Sequence, residues 1–285
     1  MQWFGGRESN NVEEGSSSGG GRGLALGGGV VGIIGFLIYM FTGVNISQLG
    51  GGNQGADQQV NSRVSANESM QQKFSRVIFA STEDVWDSLF TANNQTYIKP
   101  TLHFFSGGVD AGCGFASSAT GPFYCPEDQK VYLDLSFFDE LREKFQSPGE
   151  SAEAYVIAHE VGHHVQNLFG VSAKMEQARS RLSETDYNKL SVKLELQADF
   201  YAGVWAHYVA RGISKGVMIK RADIDSALVA AHAIGDDRLQ QQYQGHVSPD
   251  SFTHGTSAQR AYWFKKGYDT GDIRQGNTFA ASNPE

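Results

Sequence analysis

The sequence predicts an α+β domain: a small, mostly antiparallel sheet over a helical part, with a cleft between them. Three observations carry this. Residues 147–170, 187–211 and 222–234 repeat apolar positions at helical spacing. Tyr97 to Phe105 and Lys130 to Leu135 alternate as strands. Gly107 to Pro126, between the two strands, is a long loop rich in Gly, Ser and Ala.

Composition narrows the class. The chain has 285 residues, enough for one sizeable domain with extensions. It is 40% hydrophobic and 19% charged, with a net charge of -8. No basic stripe is present to displace the counterions of a polyanion, so nucleic acid is not expected as a partner.

Residues 1–23 are Gly, Ser, Asn and charge, and read as a disordered tail. Residues 24–43 carry no charge and, at 1.5 Å per residue, are just long enough to span a hydrocarbon core. A transmembrane anchor is therefore expected there. The alternative, a cleaved signal peptide, fits poorly with the long preceding tail and the lack of a small-residue cleavage site. Arg7 and Arg22 precede the span and no Lys or Arg follows until Arg63, which orients the N-terminus to the cytoplasm and the domain outward. The expectation is a single-pass membrane protein with an extracytoplasmic domain. Residues 44–69 read as a flexible linker, and the folded domain as 70–285.

Phe74, Val77, Ile78, Val85, Trp86 and Leu89 place helix over residues 69–90. Ser81-Thr82-Glu83-Asp84 reads as a cap that divides it into two helices. The loop from Gly107 to Pro126 holds both cysteines, Cys113 and Cys125, which in an exported domain most simply form a disulfide. Ser136 to Phe145 reads as a short helix, and Ser172 to Arg181 as another that turns the chain back.

The chemistry centres on His159-Glu160-Val161-Gly162-His163. Ser147 as N-cap, Pro148 at the first position and Glu150 at the third mark a helix start, and Ile157, Val161, Val165 and Leu168 form its apolar stripe. On that helix His159 and His163 share a face one turn apart and can reach a single metal ion. Glu160 stands beside the ion without binding it, as a general base does. The bland alternative is an amphipathic helix with two buried histidines. On the later helix, Glu195 and Asp199 also share a face. Glu195 is the expected third metal ligand, and Asp199 the acceptor for the free N–H of a liganding His.

HEVGHH followed by ELQADFYAGVW resembles the bacterial neutral zinc metallopeptidase family. So do Met1-Gln2-Trp3, Tyr124-Cys125-Pro126, Val131-Tyr132-Leu133-Asp134-Leu135, Ile234-Gly235-Asp236-Asp237-Arg238 and Thr253-His254-Gly255-Thr256-Ser257. The resemblance implies a zincin-like fold, one Zn²⁺ per chain, a membrane-anchored layout and a peptide or protein substrate. In peptidases of this type an edge strand beside the site pairs with the substrate backbone, and Lys130–Leu135 resembles that element. His254, on a loop at a helix start, is a candidate donor to the oxyanion of a tetrahedral intermediate. His164 points about 100° away from His163 and is assigned to packing or to support.

The expected function is hydrolysis of peptide bonds by a metal-activated water, with Glu160 as base. Two rivals remain: a zinc amidase acting on cell-wall peptides, and a non-catalytic binding or quality-control module. The second requires a fourth protein ligand, for which only His254 or His164 is available.

Overall fold

A computed structural model describes residues 1–15, 61–143 and 149–280. The chain begins with strand β1 (Val12–Glu14), followed by helix α1 (Asn61–Ala92) and strand β2 (Thr101–Phe104). A hairpin, β3 (Gly108–Ala111) and β4 (Gly114–Ser117), leads to β5 (Phe123–Cys125) and β6 (Lys130–Leu133). The rest is helical: α2 (Ser136–Glu143), α3 (Glu150–Leu168), α4 (Val171–Arg179), α5 (Glu184–Ala210), α6 (Arg221–Ala233), α7 (Asp236–Gln244) and α8 (Ser257–Thr270).

The α+β class holds, and the sheet corrects its expected pairing. The four-stranded sheet runs β1-β2-β6-β5. β1 pairs with β2, and β2 with β6, in parallel; only β5 is antiparallel to its neighbour. The sheet is thus mixed rather than mostly antiparallel. β3 and β4 form a separate antiparallel pair. β6 lies between β2 and β5, so its backbone groups are committed on both sides and it is not the edge strand that its sequence resembles. β5 flanks it on the side of α3, where the Tyr124 hydroxyl meets His164 Nδ1 at 3.0 Å and accepts from Asn167 Nδ2 at 3.1 Å. Cys113 and Cys125 form a disulfide that ties the hairpin to β5.

α1 is one helix rather than two. Ser81 and Thr82 do not cap a new start; their hydroxyls donate to the carbonyls of Ile78 and Phe79 within the same helix. The helix also begins at Asn61, inside the stretch read as linker. α3 begins at Glu150 after Gly149, whose φ of 115° only glycine adopts readily. The capping role assigned to Ser147 is displaced accordingly, and Ser147 and Pro148 lie outside the described residues. α8 continues past Gly267 to Thr270 and ends at Gly271.

The N-terminal segment overturns the tail expected there. Residues 1–15 are an integral part of the domain. Trp3 is 2% exposed, stacks edge-on against Phe74 and donates its indole N–H to Glu150 Oε1 at 2.7 Å. Glu83, buried in α1, receives Arg7 at 2.9 Å, Ser9 at 2.6 Å and Asn11 at 2.7 Å. β1 then joins the sheet.

This packing corrects the membrane reading as well. Among the described residues no helix is long and apolar enough to cross a membrane. The stretch 24–43 lies outside the described residues, yet the structure on either side of it bears on the expectation. A single crossing there would place residues 1–15 and the domain on opposite faces, whereas β1 hydrogen-bonds to β2 and Trp3 sits in the core. A single-pass arrangement with the N-terminus cytoplasmic and the domain outside is incompatible with this fold.

Because Trp3 is sealed in the core, Trp3→Ala in the full chain should cost about 3–5 kcal/mol. Urea unfolding of the two proteins measures it; a loss below about 1 kcal/mol would show that the segment does not hold to the domain.

Candidate metal centre

The site forms where α3 crosses α5. Gly162 permits the crossing: a Cβ there would stand 2.9 Å from the Ala198 carbonyl oxygen. The close approach brings the histidine face of α3 onto the carboxylate face of α5. One ligand atom each from His159, His163 and Glu195 lies within 4.8 Å of the others. His159 Nε2 is 3.1 Å from Glu195 Oε2, and His163 Nε2 is 3.4 Å from Glu195 Oε1. Ligands of a tetrahedral zinc at about 2.1 Å stand roughly 3.4 Å apart, so the donor set fits that ion in type and lies close enough to gather around it.

The far nitrogen of each histidine is engaged. His159 Nδ1 meets Asp199 Oδ1 at 2.8 Å, and His163 Nδ1 meets Gln166 Oε1 at 2.8 Å. Gln166 is fixed in turn by the Leu194 carbonyl at 2.7 Å and by Gln197 at 3.1 Å. Both Nε2 atoms are therefore left facing Glu195. Such outer contacts fix the ring tautomer and orientation that a metal requires.

Asp199 is the centre of a buried network. Arg260, 0% exposed, grips it with Nε on Oδ2 at 2.9 Å and Nη2 on Oδ1 at 3.0 Å. The Tyr155 hydroxyl donates to the same carboxylate and accepts from Arg260 Nη2 at 3.2 Å. Burial alone would raise the Asp199 pKa, but Arg260 and His159 together bring it down to about 2. Burial would likewise lower His159, but Asp199, followed by Glu195, raises it to about 9. Glu195 is held well below the usual carboxylate range by His163, His159 and the nearby His254, against the effect of burial.

Glu160 differs from these. It is 2% exposed, and its Oε2 is buried with no hydrogen-bond partner. Burial raises its pKa, opposed by His163 and His159. A carboxylate left unsatisfied beside a cluster of metal-binding donors marks a place where another polar group belongs.

His254 is buried beside Glu195. Asp236 accepts its backbone N–H at 2.7 Å, that of Thr253 at 2.7 Å and that of Gly255 at 3.2 Å, and faces its Nδ1 at 3.2 Å. His164 does not join the cluster. Its Nε2 lies 2.6 Å from the Ile98 carbonyl, and burial lowers its pKa to about 4.

Comparison with known proteins gives the chain a family. Residues 1–279 match the family described as "Putative neutral zinc metallopeptidase". The chain belongs to this family. The uncharacterized protein YpfJ of Escherichia coli K12 is 47% identical over 290 residues, covering 99% of this chain and 100% of the relative. The uncharacterized protein Rv2575 of Mycobacterium tuberculosis H37Rv is 46% identical over 210 residues, covering 71% of this chain and 69% of its own. No solved structure matches significantly. Membership makes the chain a zinc-hydrolase relative at the level of class, with peptides or proteins as the implied substrates.

Sequence reasoning missed Arg260, Tyr155, Gln166 and Gln197. Tyr155 lies one turn before His159 on the same helix face, and Gln166 one turn after His163; that spacing was a usable signal. Nothing local marked Arg260, which arrives from α8.

Two outcomes follow from this geometry. Asp199→Asn should weaken zinc binding about 10–100-fold, read by competition with a chromophoric chelator. An unchanged affinity would remove Asp199 from the support of His159. Separately, buried His164 stays neutral down to about pH 4 when folded and takes a proton near 6.5 when unfolded. Over that interval the unfolded state binds more protons, so stability drops as the pH is lowered, by about 3 kcal/mol at most. Urea midpoints between pH 7 and 5 should show the decline in wild type, and a flatter profile in His164→Gln.

Proposed function

We infer that this chain is a zinc-dependent peptidase in which His159, His163 and Glu195 hold the ion and Glu160 is the general base. The observation that carries the reading is the unpartnered, buried Glu160 carboxylate beside three converging donors. When bound, zinc supplies Lewis acidity, making a water acidic near neutral pH and polarising a peptide carbonyl.

The chain's residues do the rest. Glu160 takes a proton from the attacking water through its free oxygen and passes it to the leaving nitrogen. Asp199 and Gln166 keep both imidazoles aimed at one point. Asp236 holds His254, the candidate donor to the carbonyl oxygen as negative charge develops there.

The non-catalytic alternative requires a fourth protein ligand. Both nitrogens of His164 are spent on Tyr124 and Ile98. His254 is not among the donors that converge within 4.8 Å, and a set of three protein ligands favours catalysis over a purely structural ion.

The test uses the full chain, since residues 1–15 belong to the fold. Glu160→Gln should retain one zinc and lose peptide hydrolysis by about 100-fold or more. Zinc content by atomic absorption and peptide cleavage are measured together. Undiminished hydrolysis by the variant would sink the general-base role, and absence of zinc from wild type would remove the metal.

A further inference from the structure

The two histidines of the cluster are supported by different chemistry. His159 Nδ1 meets the Asp199 carboxylate, and His163 Nδ1 meets the Gln166 amide. An ionised carboxylate has only acceptor oxygens, so it takes the Nδ1 proton whichever way it turns. An amide has a donor end as well as an acceptor end. Were the Gln166 NH2 turned to Nδ1, the neutral ring would carry its proton on Nε2, the atom that faces Glu195, and His163 could not bind a metal. Something must therefore decide which end of Gln166 faces the ring.

A run of buried hydrogen bonds decides it. Gln166 is 0% exposed, and its Nε2 donates to the Leu194 carbonyl at 2.7 Å and to Gln197 Oε1 at 3.1 Å. Gln197, also buried, donates its own Nε2 to the Gly276 carbonyl at 2.7 Å. Backbone carbonyls only accept, so the run has a fixed polarity. Gly276 takes the NH2 of Gln197, which leaves Gln197 Oε1 for Gln166. Leu194 and Gln197 take the NH2 of Gln166, which leaves Gln166 Oε1 for His163. The Gly276 carbonyl follows the short 3-10 helix Ile273–Gln275 and also accepts the Thr278 backbone N–H at 2.9 Å. Buried Thr278 in turn donates its hydroxyl to the Lys193 carbonyl of α5 at 2.6 Å. We propose that Gln197 and the Gly276 carbonyl are positioning groups of the metal centre, which through Gln166 fix the proton of His163 on Nδ1 and leave Nε2 free for zinc. This rests on His163 being a metal ligand. The turn after α8 is thereby part of the site.

The experiment uses the full chain and reads zinc affinity by competition with a chromophoric chelator, with the thermal midpoint of each metal-free protein as a check on folding. Gln197→Leu removes both of its bonds and should weaken zinc binding by about tenfold or more. Gly276→Ala approaches the same carbonyl from the turn: its Cβ would stand 2.4 Å from Phe200 Cδ1, so the turn must move off. It should weaken zinc binding in the same way, and the double variant should lose no more than the weaker of the two single variants. A further pair separates orientation from packing. Gln166→Glu places at that position a carboxylate, which has no donor end to be turned away. On that background Gln197→Leu should leave zinc affinity unchanged.

An unchanged affinity in folded Gln197→Leu overturns the positioning role and leaves the three zinc ligands standing. So does an equal loss on the wild-type and Gln166→Glu backgrounds, because Gln197 would then act by packing alone. If wild type binds zinc and cleaves no peptide while the affinities follow the expected pattern, the peptidase reading fails and the positioning role stands. If wild type binds no zinc, both fall.

Discussion

The pairing of Arg260 with Asp199 is the interaction on which the site depends. Both are 0% exposed, and taking two such charges out of water costs several kcal/mol for each. That cost is met only where nearly every donor finds an acceptor. Arg260 achieves this with two bonds to the carboxylate, one to Tyr155 and one to the Ile234 carbonyl. The same geometry leaves Asp199 ionised and facing His159. A charge carried in on α8 is thereby converted into a fixed tautomer on α3. Removing Arg260 would leave a buried, unpaired carboxylate in direct contact with that histidine.

For this chain of contacts to close, three helices must approach more tightly than ordinary side chains allow. Gly162 sets the distance between α3 and α5. Gly203 and Gly267 do the same between α5 and α8: a Cβ at either would fall 2.0 Å from a carbonyl oxygen of the other helix, Phe264 and Phe200 respectively. These glycines lie inside helices, where the residue is unfavourable by about 1 kcal/mol relative to alanine. The close packing they permit outweighs that local loss. They are the reason that α5 can serve the metal cluster on one side and receive α8 on the other.

The N-terminal segment adds a second constraint at the opposite end of α3. Trp3 donates to Glu150 in the first turn of that helix, and Ser151 donates to Asp223 at the start of α6. α3 is thus secured at its beginning by residues 1–15 and α6, and along its second half by α5. A segment that looks like a polar tail by composition is in fact part of the fold, because its one tryptophan enters the core and its Arg7, Ser9 and Asn11 converge on Glu83 of α1. The same fact separates the family's fold from the layout first expected for it. Strand pairing across the interval 16–60 requires both of its ends to lie on the same side.

By itself, the sequence determined the local chemistry. Helical spacing put His159 with His163, and Glu195 with Asp199, on shared faces, because those relations are set within one turn and need no tertiary partner. The same periodicity placed α5 and α6 to within a few residues, and the α+β class followed from it. Only the tertiary structure decided what those faces meet. Arg260, 61 residues from Asp199, carries no local mark of its role. β6 reads identically in sequence whether it is an edge or an interior strand, because its alternation reports two faces and not two neighbours. Parallel pairing of β1, β2 and β6 joins segments far apart in the chain, and composition alone could not distinguish residues 1–15 from a tail. In each case the deciding contacts are long-range, and a one-dimensional pattern records only which residues share a face, not what that face is pressed against.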